Sequence, residues 1–89
     1  MKCFARISLL LLLVWPLLGF QGDRADLYLK TANKMQAKGY PDLALVYLGK
    51  AIEANPNFTR AYLSRGFLYL GRGSVELALS DFSRIIEID

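Results

Sequence analysis

Three features of the sequence predict an all-α fold of two antiparallel helix-turn-helix repeats: a segment written twice at an offset of 34 residues, helical apolar spacing within each copy, and turn residues at matching places. Sliding residues 25–55 onto 59–89 lays Tyr28 on Tyr62, Leu29 on Leu63, Gly39 on Gly73, Leu43-Ala44-Leu45 on Leu77-Ala78-Leu79 and Ile52-Glu53 on Ile86-Glu87. Lys38/Arg72, Asp42/Glu76 and Lys50/Arg84 add like-for-like pairs at the same offset. Units of this length cannot bury their apolar faces alone, so they stack into a continuous core. The expected architecture is an α-solenoid behind an apolar export helix.

Residues 1–22 carry that export helix. Lys2 and Arg6 supply positive charge with no acid, and Ile7 to Phe20 then runs without a charged residue, which is the order of a secretory signal. Fourteen helical residues at ~1.5 Å rise reach about 21 Å, short of the roughly 30 Å hydrocarbon core. Pro16 also interrupts the helix. A cleaved signal is therefore expected, with a membrane anchor over residues 7–20 as the alternative. Gly19 and Gly22 are the small residues available near a cut. Cys3 precedes the apolar run, whereas a lipoprotein signal needs its cysteine after it, so no lipid anchor is expected there. The chain thus divides into a signal peptide or signal anchor over 1–22 and a repeat region over 23–89, with repeat 1 at about 25–58 and repeat 2 at about 59–89.

In the first unit Tyr28, Ala32 and Met35 fall at i, i+4, i+7 and define one helix face, and Ala44, Leu48 and Ala51 define a second. Gly39 ends the first helix, because only glycine adopts a left-handed conformation without penalty, and Pro41 opens the second, where a missing N–H costs nothing. Asn55-Pro56-Asn57 halts the chain between units, with Asn57 placed to cap the next helix. In the second unit Gly73 stops a helix and Ser74 can cap its successor. Small residues, Ala32 and Gly66 in the first helices and Ala44 and Ala78 in the second, stand where helices must approach closely. Large ones repeat beside them: Tyr28 and Tyr62, Met35 and Tyr69, Leu48 and Phe82.

At these residues the sequence resembles the tetratricopeptide repeat family, whose 34-residue unit reads W-x2-L-G-x2-Y…A-x3-F…P. Tyr28, Ala32, Met35, Ala44, Leu48, Ala51 and Pro56 stand at the family places in the first unit, and Tyr62, Gly66, Tyr69, Ala78 and Phe82 in the second. Departures are Thr31 and Arg65 in place of leucine and Ile85 in place of a small residue. The resemblance spans about residues 25–89 and implies a protein-protein interaction module acting as scaffold or adaptor. It also implies that the first helix of each unit lines a concave groove. The candidate partner-binding residues there are Leu29, Asn33, Gln36, Leu63, Phe67 and Leu70. Family members that clamp a C-terminal carboxylate use basic and polar groups in the groove, where this chain has only Asn33 and Arg60, with Leu29 and Ser64 at other clamp places. An apolar or helical segment is thus the expected ligand.

The charge pattern disfavours nucleic acid as a partner: residues 23–89 hold nine Lys or Arg against eight Asp or Glu, interspersed along the chain. The chain has no histidine, and its only cysteine lies in the N-terminal segment, so the commonest catalytic base and a common nucleophile are missing from the repeats. Asp23 with Asp26, and Glu87 with Asp89, read as helix-terminus or solvated charge. Gly71-Arg72-Gly73 follows no strand and lacks the G-K-[ST] of a phosphate loop. Neither a metal ligand spacing nor a cofactor motif is present, and no enzymatic activity is expected. Alternatives are a membrane-anchored N-terminal fragment of a longer repeat protein and a non-catalytic part of an enzyme.

The second unit stops near Ile85-Ile86-Glu87-Ile88-Asp89, one residue short of the place of Pro56, so the repeat is incomplete at its C-terminal end. In its last helix Leu77, Ala78, Phe82 and Ile85 are expected to pair with the preceding helix, leaving Val75, Leu79, Ile86 and Ile88 on other sides. Self-association or capture of an apolar helix is the expected consequence.

Overall fold

The computed structural model describes residues 24–88, and among them there are four helices and no strand. Helix α1 covers 24–37, α2 Pro41–Ala54, α3 Thr59–Gly71 and α4 Val75–Ile88. They form two helix-turn-helix pairs, α1 with α2 and α3 with α4, and α3 also packs on α2. The expected signal or anchor over residues 1–22 lies outside the described residues. Within them, no helix is long and apolar enough to cross a membrane.

The turn inside each unit is built identically. Gly39 has φ +86° and Gly73 φ +81°, left-handed values that any Cβ would strain. Behind each glycine the frayed carbonyls of the helix are recaptured: Tyr40 N–H donates to the Met35 carbonyl at 2.8 Å and Gly39 N–H to Gln36 at 3.0 Å. In the second unit Ser74 N–H donates to Tyr69 at 2.9 Å and Gly73 N–H to Leu70 at 3.0 Å. Pro41 then starts α2 in its first turn, and the Ser74 carbonyl accepts the Ala78 N–H at 3.1 Å as α4 begins.

The turn between units departs from expectation in two ways. Asn57 does not cap α3: Phe58 occupies the cap position and no side-chain bond is made there. The asparagine that acts is Asn55, whose Oδ1 accepts the Asn57 N–H at 3.1 Å and whose carbonyl accepts the Phe58 N–H at 3.1 Å. Pro56, expected among the packing residues, is exposed. Its ring restricts the turn while its carbonyl accepts a hydrogen bond from the Tyr62 hydroxyl at 2.9 Å, which fastens the turn to α3.

Seven buried residues make the core: Leu29, Ala32, Ala44, Leu48, Ala51, Ala61 and Leu68. They come from α1, α2 and α3, so the second unit closes the core of the first. Tyr28, Met35, Leu45, Tyr47, Ile52 and Phe58 pack around them. Four of the seven are alanines, which lets helix backbones come close, and Leu48 is the large side chain that fills the space between. Its burial contributes about 1.5–3 kcal/mol. In the second unit Ala78 is fully buried, Tyr62 and Gly66 are buried, and Tyr69 is partly so. Gly66 has no room for more: a Cβ there would lie 2.6 Å from Phe82 Cε1.

Among the described residues, two ion pairs cross between units on the surface. Arg60 Nη2 stands 3.3 Å from Asp26 Oδ1, and Arg72 pairs with Asp42. Both join an acid of the first unit to an arginine of the second.

Candidate functional site

Repeat symmetry shows which candidate residues face outward, since among the described residues each position occurs once with a following unit and once without. Six residues on the first helices are candidates. Asn33 and Gln36 on α1 are exposed, as are their equivalents Phe67 and Leu70 on α3. The presence of a following unit leaves this strip open, so it is a genuine outer face running across both units. Phe67 leans its ring edge on Phe82, with centroids 5.5 Å apart, which fixes the aromatic at the surface.

Leu29 behaves otherwise and corrects the sequence expectation. It is only 5% exposed and belongs to the core cluster with Ala61 and Leu68 of α3, so it cannot meet a partner. Its equivalent Leu63 is 44% exposed. The two leucines occupy the same place in their units and differ in whether another unit stacks over them. The 34-residue offset makes them equivalent, but it does not reveal that α3 lies over Leu29. Leu77 is a second correction: expected against the preceding helix, it is exposed together with Val75, Leu79 and Ile86, while Ala78 carries the close approach and Phe82 and Ile85 are half-buried.

Sequence reasoning also missed a buried ion pair. Asp81 on α4 is 3% exposed, and its two carboxylate oxygens accept from Arg65 Nε at 2.9 Å and Arg65 Nη2 at 2.7 Å. The guanidinium carbon lies 5.8 Å from the ring centres of both Tyr62 and Tyr69, so two aromatic faces and a bidentate carboxylate hold it. The hydrogen bond to Asp81 raises the Arg65 pKa above its ordinary value against the opposing effect of burial, which keeps the guanidinium charged at every physiological pH. A signal for the pair was present: Thr31 and Tyr47 of the first unit become Arg65 and Asp81 in the second, a change of both partners at once. Arg65 therefore fills a leucine's place in the pattern without leaving its charge unpartnered.

Each unit has an open polar hollow at one corner. In the first, Arg24, Tyr28, Lys50, Glu53 and Ala54 line about 310 Å³. In the second, Tyr62, Arg65, Ser80, Asp81, Ser83, Arg84 and Glu87 line about 260 Å³. Tyr28, Lys50 and Glu53 map onto Tyr62, Arg84 and Glu87 at the 34-residue offset. In the second hollow acids and bases pair, Arg65 with Asp81 and Arg84 with Glu87, whereas the cation of Lys50 in the first lies against aromatic rings. Lys50 Nζ sits 5.5 Å from the Tyr47 ring centre and 6.0 Å from that of Tyr28, and Arg84 Nη1 is 3.1 Å from Glu87.

Comparison with known proteins agrees with this geometry. No family model matches the chain. It is 44% identical over 57 residues to a UDP-N-acetylglucosamine--peptide N-acetylglucosaminyltransferase of Giardia intestinalis (strain ATCC 50803 / WB clone C6), a match covering 64% of this chain and 4% of that protein. It is 31% identical over 88 residues to an FK506-binding protein-like protein of Mus musculus, covering 99% of this chain and 25% of the relative. Among solved structures, MamA superposes with a TM-score of 0.70 at 34% identity, over 72% of this chain and 37% of that one. The chain thus spans a quarter or less of the curated relatives it matches. Repeat period, paired helices, matching glycine turns and this structural likeness together establish a tetratricopeptide-repeat-like helical fold.

Proposed function

We propose that the chain is an exported protein-interaction module, a scaffold or adaptor, whose groove lined by Asn33, Gln36, Phe67 and Leu70 takes an apolar helical segment of a partner. The supporting observation is that this strip is exposed on both described units and carries two large apolar side chains on α3. Apolar anchors flanked by the amides of Asn33 and Gln36 suit the helix-in-groove mode of recognition, in which residues on one helical face supply affinity and polar neighbours set the register. Helical peptides selected against the full chain fused to a soluble carrier test this. Leu70→Asp and Asn33→Arg each weaken binding about ten-fold or more if the groove is the site, since groove anchors carry most of the energy. Selected peptides that bind both variants as tightly as the parent overturn the reading.

The export part of the proposal draws on Lys2 and Arg6 ahead of the uncharged run from Ile7 to Phe20. Residues 1–24 fused to a reporter that works only outside the cytoplasm yield activity, and Lys2→Glu with Arg6→Glu reduces it. An inactive parent fusion refutes export. Mass spectrometry of the native protein separates a cleaved signal from an anchor. A second reading, a non-catalytic part of an enzyme, is favoured by the transferase relative, whose matching stretch is 4% of its length.

A further inference from the structure

One surface turn carries a motif that the repeat does not require. Asn57-Phe58-Thr59 reads N-x-[ST] with no proline at its middle place, the acceptor sequence for an N-linked glycan. The chain's other asparagines, Asn33 and Asn55, begin no such triplet. The 34-residue offset sets Asp23, Arg24 and Ala25 at the equivalent places of the first unit, so the repeat pattern does not impose it.

The fold presents the acceptor at its surface. Asn57 is exposed in the turn between α2 and α3, while both of its neighbours are tied down. On one side the Pro56 carbonyl accepts the Tyr62 hydroxyl at 2.9 Å, and on the other Phe58 packs against the core. The Asn57 backbone N–H donates to Asn55 Oδ1 at 3.1 Å, whereas its side chain does not cap α3. The turn is fixed by its flanks, and a bulky group on the Asn57 side chain displaces none of these contacts. Arg60 Nη2, 3.3 Å from Asp26 Oδ1, sets the turn beside the start of α1. Phe67 lies eight residues beyond Thr59, about 12 Å along α3 at ~1.5 Å per residue, and Leu70 lies further still. A glycan at this end leaves the groove open.

We propose that Asn57 carries an N-linked glycan, added as the chain is exported; the proposal rests on the export reading given above. The donor is an oligosaccharide held on a lipid diphosphate. Asn57 Nδ2 forms a bond to the anomeric carbon, the bond from that carbon to the phosphate oxygen breaks, and the lipid diphosphate leaves with the electron pair. One amide proton passes to a base of the transferase. Thr59 supplies the hydroxyl that the transferase reads two residues beyond the acceptor.

The full chain translated in the presence of microsomal membranes tests this, because resistance to added protease reports export and a mass increase reports the glycan. A protected, heavier form is expected, and an amidase specific for N-linked glycans returns it to the unmodified mass. Asn57→Gln and Thr59→Ala each abolish the heavier form, while Thr59→Ser retains it, which separates recognition of the hydroxyl from any effect on folding. A protected chain without the heavier form overturns the glycan and leaves export standing. A heavier form that persists in Asn57→Gln overturns the assignment to this residue. A chain that stays open to protease and unmodified refutes export, and the glycan with it.

Discussion

Arg65→Met tests whether the buried pair holds α4 onto α3. The substitution keeps the apolar stem of the side chain and removes the five N–H donors, so Asp81 loses both of its hydrogen bonds. A carboxylate with 4% side-chain exposure is then charged without compensation, and breaking such a pair costs about 3–5 kcal/mol. The arginine side chain keeps 24% exposure, which gives water a route in and places the cost near the lower end of that range. Asp81→Leu removes the other partner, but the guanidinium stays between two tyrosine rings beside solvent, so about 1–2 kcal/mol is lost. The double variant, an apolar pair of similar volume, returns to within about 1 kcal/mol of the parent. A domain of this size has only about 3–10 kcal/mol of stability, so Arg65→Met alone removes a third of it or more. Urea unfolding monitored by helical circular dichroism measures all four proteins. A midpoint for Arg65→Met within about 0.5 kcal/mol of the parent refutes the burial argument. Additive losses in the double variant refute the coupling.

Leu48→Ala empties the centre of the first unit and costs about 2–5 kcal/mol in the same assay. Gly73→Ala places a Cβ at φ +81° and costs about 1–2 kcal/mol in thermal or urea melts, although nothing crowds the new methyl group. Ala78→Trp overpacks the α3–α4 approach by roughly 1–3 kcal/mol or more, and an unchanged melt contradicts the packing there. Tyr62→Phe removes the hydroxyl bond to Pro56 and costs about 0.5–1.5 kcal/mol, with greater proteolysis at Asn55-Pro56-Asn57 as its local signature.

The fold was legible because each of its decisions is local. Gly39 and Gly73, Pro41, and the small residues Ala32, Ala44, Gly66 and Ala78 each set a turn or a close approach through their own shape, and the structure uses them so. The features hidden from the sequence depend on neighbours far along the chain. Leu29 and Leu63 are the same residue in the same pattern, and only the position of α3 makes one a core residue and the other a surface one. Arg65 read as a lapse in the pattern because its partner is sixteen residues away on another helix. Asn55 and Asn57 flank one proline with similar capping chemistry, and the backbone alone decides that Asn55 bonds forward. Of the six candidate residues, Asn33, Gln36, Leu63, Phe67 and Leu70 are exposed as expected, and Leu29 is not.

Packing that runs from each helix to its chain neighbours, α2 to α3 and α3 to α4, makes the described residues a row rather than a ball. A row loses order from its ends. Among the described residues, contacts on two sides must open for the backbone amides of α3 to meet solvent, whereas α4 packs on α3 alone. Amide hydrogen exchange is therefore expected to be slowest in α3 and to quicken through α4 toward Ile88. Among the described residues, such a gradient marks α4 as the helix that parts from its neighbour while α2 and α3 stay packed.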